Sequence, residues 1–135
     1  MARARSVLLV DDETLFLATM AKVLARHGLE VLVAPDAASA MDIMERTDPD
    51  VVVLDVRMPG QNGLEALRLM KERHPMTPVI LLTGHGTVDD GQEAFRSGAF
   101  DFQTKPAKVS KLLETIEEAI RSRGLVEEAA RRQPT

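Results

Sequence analysis

The chain has no cysteine, no tryptophan and no tyrosine, and only four of its 135 residues are phenylalanine. Without cysteine, disulfides and thiolate metal sites are excluded. With so few aromatic rings, the core has to be built from aliphatic side chains. Excess positive charge is also lacking. Seventeen Lys and Arg face 21 Asp and Glu, a formal charge of -4 with a pI of about 5.4, so there is no global electrostatic reason to bind nucleic acid. Long apolar runs are missing too. The start, Met1-Ala2-Arg3-Ala4-Arg5, is basic, but the run after it, Val7 to Val10, is far too short for a signal peptide or a membrane span. The expectation is a soluble, cytoplasmic protein with no membrane contact. Hydrophobic residues make up 44% of the chain, which argues against disorder, and the length suits one domain with a real core.

The most informative stretch is Val51-Val52-Val53-Leu54-Asp55-Val56-Arg57-Met58-Pro59-Gly60. Its apolar, β-branched run reads as a strand buried on both faces. A carboxylate inside such a strand would be costly to desolvate. Asp55 escapes that cost if it ends the strand and faces a site built there.

Four more segments read the same way. Ser6–Val10 is a first strand, closed by Asp11-Asp12-Glu13, which also suits a helix N-terminus. Phe16, Met20, Val23 and Leu24 recur at helical spacing up to the stop His27-Gly28. Glu30–Ala34 is a second strand, and Asp36 is placed to cap a helix carrying Ala40, Ile43 and Met44. Asp48-Pro49-Asp50 breaks that helix before the Asp55 strand. Pro59 to Gly63 is turn-rich, and Leu64, Leu67 and Met70 mark a helix ended by His74-Pro75. Pro78–Thr83 is a fourth strand. Val88–Ser97 is a weak helix, since Gly91 costs about 1 kcal/mol relative to Ala. Phe100 to Pro106 holds a short fifth strand ending at Lys105. Val109, Leu112, Leu113, Ile116, Ala119 and Ile120 form the clearest amphipathic helix.

This alternation predicts a doubly wound α/β sandwich of the flavodoxin-like kind, with a five-stranded parallel sheet in the order 2-1-3-4-5 and right-handed crossovers. In such a sheet the C-terminal strand ends share one edge, and ligands bind where the strand order reverses. Asp11, Asp12 and Asp55 then converge, with Thr83 and Lys105 at the ends of strands four and five. Carboxylates ~5 Å apart repel by roughly 3 kcal/mol per pair at an effective dielectric of about 20. Either the cluster stays partly protonated or a cation enters, and Mg²⁺ fits a shell completed by waters or a phosphate. A carboxylate nucleophile, a metal, a lysine and a hydroxyl are the parts needed for phosphoryl transfer onto an aspartate.

At this point the sequence resembles a known family, the receiver domains of two-component response regulators. The resemblance runs from about Ser6 to Ile120 and is carried by VDDE (Val10–Glu13), LDVRMPG (Leu54–Gly60), NGLEAL (Asn62–Leu67), LLTGHG (Leu81–Gly86) and GAFDFQTKP (Gly98–Pro106). The middle and later segments look most like nitrogen-regulation-type receivers, which precede activators of alternative-sigma-factor (sigma-54) transcription. The resemblance implies that Asp55 accepts a phosphoryl group from a phosphohistidine on a sensor histidine kinase or phosphotransfer protein. It implies Mg²⁺ on Asp12, Asp55 and the Arg57 carbonyl, with Asp11 acting through a water. Thr83 would hydrogen-bond the phosphoryl group, Lys105 would neutralise it, and the Lys105–Pro106 bond would be cis. Phe102 corresponds to the switch aromatic, here without the hydroxyl of the commoner tyrosine. Arg57 and His85 correspond to positions that tune phosphate lifetime.

Residues 1–123 are thus read as the receiver domain and 124–135 as a tail or the start of a linker helix. The tail is the favoured reading, because Arg123-Gly124 interrupts the apolar seam of Val109, Leu112, Ile116, Ala119, Val126 and Ala130. A homodimer through a continuing helix is the other option. The chain is either a single-domain regulator or part of a longer one. The alternative function is an aspartate-nucleophile phosphohydrolase. Such enzymes generally place a second carboxylate two residues after the nucleophile, where this chain has Arg57, so a non-enzymatic switch is preferred. A phosphate-independent binding module is the third reading, disfavoured by the complete set of site residues.

Overall fold

Five segments become the five strands of one parallel sheet: β1 (Ser6–Val10), β2 (Glu30–Ala34), β3 (Val51–Leu54), β4 (Val79–Thr83) and β5 (Asp101–Thr104). The computed structural model describes residues 5–55, 57–58, 61–84, 88–105 and 108–132. The sheet order is β2-β1-β3-β4-β5, as the alternation of elements predicts. Helices α1 (Thr14–Arg26), α2 (Ala37–Thr47), α3 (Gly63–Arg73), α4 (Val88–Arg96) and α5 (Val109–Arg132) connect and cover the strands.

The central strands β1, β3 and β4 are almost wholly apolar because each face meets its own helical layer, whereas the edge strands β2 and β5 carry Glu30, Asp101 and Gln103. Leu8, Val10, Val52, Leu54 and Leu81 pack with α2, α3 and α4 through Ala40, Met44, Leu67, Met70 and Ala94. Val7, Leu9, Val51, Val53, Ile80 and Leu82 pack with α1 and α5 through Leu17, Met20, Leu24, Leu112, Ile116 and Ala119. Each fully buried Leu or Ile contributes about 1.5–3 kcal/mol, and the two layers together fix which strand face points which way. Pairing of Val10 with both Ala34 and Leu54 aligns the C-terminal ends of the three strands around the switch point.

Local chemistry sets the helix ends. Asp36 Oδ1 accepts from the Ser39 amide at 2.7 Å, the N-cap expected for α2. His27 caps α1 and Gly28 follows with φ +83°, a left-handed turn that glycine adopts without strain. The acidic cluster does not enter the first turn of α1. Glu13 is the N-cap residue, and the Asp11 carboxylate instead accepts from the Glu13 amide at 3.0 Å. A two-residue antiparallel ladder pairs Arg57–Met58 with Gln61–Asn62 shortly after Asp55.

The C-terminal reading needs correction at one point. No break occurs at Arg123-Gly124, and α5 is a single helix of 24 residues through Arg132. Arg123 anchors the helix rather than interrupting it. Its Nη1 donates to the Pro49 carbonyl (2.8 Å), its Nη2 to both Asp48 carboxylate oxygens (3.1 Å each) and its Nε to Glu127 Oε1 (2.6 Å). These bonds offset the roughly 1 kcal/mol that Gly124 costs in a helix interior. No described helix is long and apolar enough to cross a membrane.

Candidate functional site

The sheet ladder continues one residue past the strands, and that continuation places the site. The Asp11 amide donates to the Ala34 carbonyl at 3.1 Å, and the Asp55 amide donates to the Val10 carbonyl at 3.0 Å. The Lys105 amide donates to the Thr83 carbonyl at 2.8 Å. Each chemistry-bearing residue is therefore held by backbone to a neighbouring strand before its side chain makes any contact. Asp11, Asp12 and Asp55 each offer a carboxylate oxygen, and these lie within 4.8 Å of one another. Asp11 and Asp55 are buried, at 2% and 5% exposure, whereas Asp12 is exposed.

Lys105 is the counter-charge. Its Nζ lies 2.6 Å from Asp11 Oδ2, 3.0 Å from Glu13 Oε1 and 3.5 Å from Asp55 Oδ2. The ammonium also stands 4.1 Å from the centroid of the Phe16 ring, a cation–π contact worth about 0.5–2 kcal/mol. One ammonium against four carboxylates leaves the cluster strongly negative. Burial pushes the Asp11 carboxyl above its ordinary value. The Lys105 and Glu13 hydrogen bonds and the Lys105 charge pull it down less than burial and the nearby Asp55 raise it. Burial works to lower the Lys105 ammonium, but hydrogen bonds to Asp11 and Glu13 and the charges of Asp11 and Asp55 outweigh it, so its pKa is raised. A hard cation with oxygen ligands fits this deficit. The two buried carboxylates supply fixed donors, and the exposed Asp12 leaves room for the waters that a small divalent ion retains.

Thr83 ends β4 fully buried and pairs with Thr104. Phe102 pairs with Leu81 and is half-buried against the α2–α4 layer. Its ring lies against Gly91 of α4, where an added Cβ would meet ring carbons at 3.5–3.8 Å. Gln103, one residue on, points to the opposite layer and is buried. Its Nε2 donates to Thr115 Oγ1 (2.8 Å) and Asp101 Oδ2 (2.9 Å), which is how an amide is accommodated where an aliphatic residue is expected.

The chain matches the family described as response regulator receiver domain over residues 7–117. It belongs to that family. The receiver is 36% identical over 114 residues to the DNA-binding transcriptional regulator NtrC of Escherichia coli, covering 84% of this chain and 24% of NtrC. It is 40% identical over 120 residues to the C4-dicarboxylate transport transcriptional regulatory protein DctD of Pseudomonas aeruginosa, covering 89% of this chain and 26% of DctD. A receiver domain structure from Clostridium thermocellum superposes with a TM-score of 0.86 at 34% identity, covering 90% of this chain and 98% of that one. The receiver thus spans about a quarter of the length of the curated relatives it matches, and these relatives are regulators of the NtrC type that the motifs resemble.

Among the residues singled out by sequence, Asp11, Asp12, Asp55 and Lys105 come together, with Thr83 at the adjoining strand end. Arg57 is described through its backbone pairing with Asn62. His85 and Pro106, and with them the expected cis bond, lie outside the described residues. Sequence reasoning missed the second grip on Lys105, from Glu13 and Phe16. Glu13 was visible in the acidic run, but Phe16 carried only the signal of a helix core position.

Proposed function

We propose that the receiver is a phosphorylation switch in which Asp55 accepts a phosphoryl group from a histidine-bound donor. The observation that carries this reading is a buried carboxylate at a strand end, 3.5 Å from a lysine ammonium and clustered with two further carboxylates. An Asp55 oxygen forms the new O–P bond as the N–P bond of the phosphoimidazole breaks, and the imidazole leaves carrying the electron pair and takes a proton. Asp12, Asp55 and the Arg57 carbonyl would hold Mg²⁺, with Asp11 acting through a water. When bound, Mg²⁺ supplies neutralisation of the charge that collects on the phosphoryl oxygens. Lys105 neutralises another phosphoryl oxygen, giving up part of its contact with Asp11 and Glu13. The Thr83 hydroxyl donates to a third, and its displacement lets the Phe102 ring turn further inward beside α4. Arg57 and His85 tune water access to the acyl phosphate.

The donor is a sensor histidine kinase or a phosphotransfer protein, and the altered α4–β5–α5 surface addresses a partner or an output domain. Self-association through the last turns of α5, where Leu125 and Val126 are exposed, belongs to the same reading. The net charge of -4 assigns no nucleic-acid contact to this chain itself. Incubation with a small phosphodonor and Mg²⁺, read by intact mass, tests the proposal. One acid-labile phosphoryl group, absent in Asp55→Asn, supports the switch. Rapid multiple turnover of diverse phosphoesters would instead support a phosphohydrolase.

A further inference from the structure

At the opposite edge of the sheet from Asp55, the N-terminal ends of β4 and β5 meet the C-terminal parts of α3 and α5 around a cavity of about 330 Å³. Lys71, Ser122 and Arg123 line it together with the carbon surfaces of Met76, Phe100 and Val126. The two cations in this wall differ in their electrostatic state. Arg123 is answered by Asp48 and Glu127. Lys71 has no carboxylate partner among the described residues. Its Nζ donates to the Pro75 and Thr77 carbonyls, both at 3.0 Å, which occupies two of its three hydrogens.

The Lys71 stem is held as well as its head. Gly98 takes φ +103° beside it, and a Cβ there would meet Lys71 Cγ at 3.2 Å, so the main chain of the α4–β5 turn approaches the stem closely. Two carbonyl hydrogen bonds and this contact hold the Lys71 side chain in place beside the cavity before any ligand arrives, which reduces the ordering cost of binding. Burial, and then the nearby Arg123 charge, lower the Lys71 pKa, as expected for a cation whose charge is not locally compensated. Lysine at a helix C-terminus is often only a complement to the helix dipole. Here it also has a third ammonium hydrogen beyond the two carbonyl bonds, and it lines a cavity.

We propose that this cavity is a binding site for a small monocarboxylate with an apolar body, seated with its carboxylate on Lys71 Nζ. A single uncompensated cation matches a monoanion better than a doubly charged phosphate. The Ser122 hydroxyl is available to the second oxygen, and Met76, Phe100 and Val126 receive the hydrocarbon. The volume is at the lower end of the roughly 300–1,000 Å³ of small-molecule sites, which restricts the ligand to a short chain or one ring. A bound carboxylate would tie α5 to the α3–β4 turn at the end of the domain remote from the acceptor.

The test is a titration of the ¹⁵N-labelled chain with 4-methylpentanoate, followed by amide shifts, with 4-methylpentanamide as the uncharged control. Saturable shifts at Ala99, Phe100, Ser122 and Val126 are expected for the carboxylate. Affinity for the amide should be lower by about tenfold or more, the worth of one charge-assisted hydrogen bond. Lys71→Met, which keeps the stem and removes the charge, should weaken the carboxylate to the level of the amide. Equal binding of acid and amide, shifts that persist unchanged in Lys71→Met, or no saturable shift in this region would each overturn the proposal. The acid–amide comparison uses the unaltered chain, so the conclusion stands even where the variant folds poorly.

Discussion

Lys105 and Asp11 form the shortest charged contact of the site at 2.6 Å, and the balance between them governs how the acidic cluster responds to protons and metal. The Asp11 carboxyl is raised by burial, so the folded chain binds its proton more tightly than the unfolded chain does. Ionised Asp11 therefore costs stability above its folded pKa, and the cost is relieved as pH falls through that value. A divalent cation acts in the opposite direction, because it binds the ionised form. The rise in melting temperature produced by Mg²⁺ should be largest near neutral pH and should fade as the pH falls through the raised Asp11 pKa. A Mg²⁺ effect that is independent of pH across this range would contradict that placement. A second expectation concerns Gln103 and Thr115. Thr115→Val leaves the buried amide with Asp101 alone and should cost about 1–2 kcal/mol, whereas Gln103→Leu together with Thr115→Val should cost less than the sum of the single changes. A denaturant double-mutant cycle measures the coupling, and strict additivity would sink the idea of a shared network.

Among the elements, α4 and α5 show where the sequence could be read and where it could not. The central strands were legible because their apolar runs are short, β-branched and closed by polar residues, and the place of Asp55 was legible because it closes one of them. The end of α5 was not. Arg123 looks like a break in an apolar seam, and its partners Asp48 and Pro49 lie some seventy positions away in sequence. That long-range anchor carries no periodicity. For the same reason the Phe16 and Glu13 grip on Lys105 was hidden, since it joins α1 to the end of β5. Arg123→Ala should destabilise the domain by about 2 kcal/mol, because several hydrogen bonds of a largely buried guanidinium are lost at once. It should also speed amide exchange over the turns after Gly124. Unchanged exchange there would show that the helix end is held by something else. Gly91→Ala tests α4: the new Cβ meets the Phe102 ring at ordinary contact distance, so the change should stabilise the helix by about 0.5–1 kcal/mol.

On the scale of the whole molecule, the parallel sheet separates two ends with different chemistry. The C-terminal edge gathers Asp11, Asp12, Asp55, Thr83 and Lys105, and the N-terminal edge presents the Lys71 cavity beside the Arg123 anchor. The edge that gathers the carboxylates follows from strand order, which is why the site is legible from the strand ends in the sequence. The central claim is that Asp55, and not one of its two acidic neighbours, receives the phosphoryl group. The most direct measurement is to load the chain with a small phosphodonor in Mg²⁺, reduce the acyl phosphate with borohydride, and locate the resulting homoserine by peptide sequencing. The expected result is homoserine at position 55 only, and none without Mg²⁺. Homoserine at position 11 or 12, or consumption of the phosphodonor with no trapped acyl phosphate, would contradict the assignment.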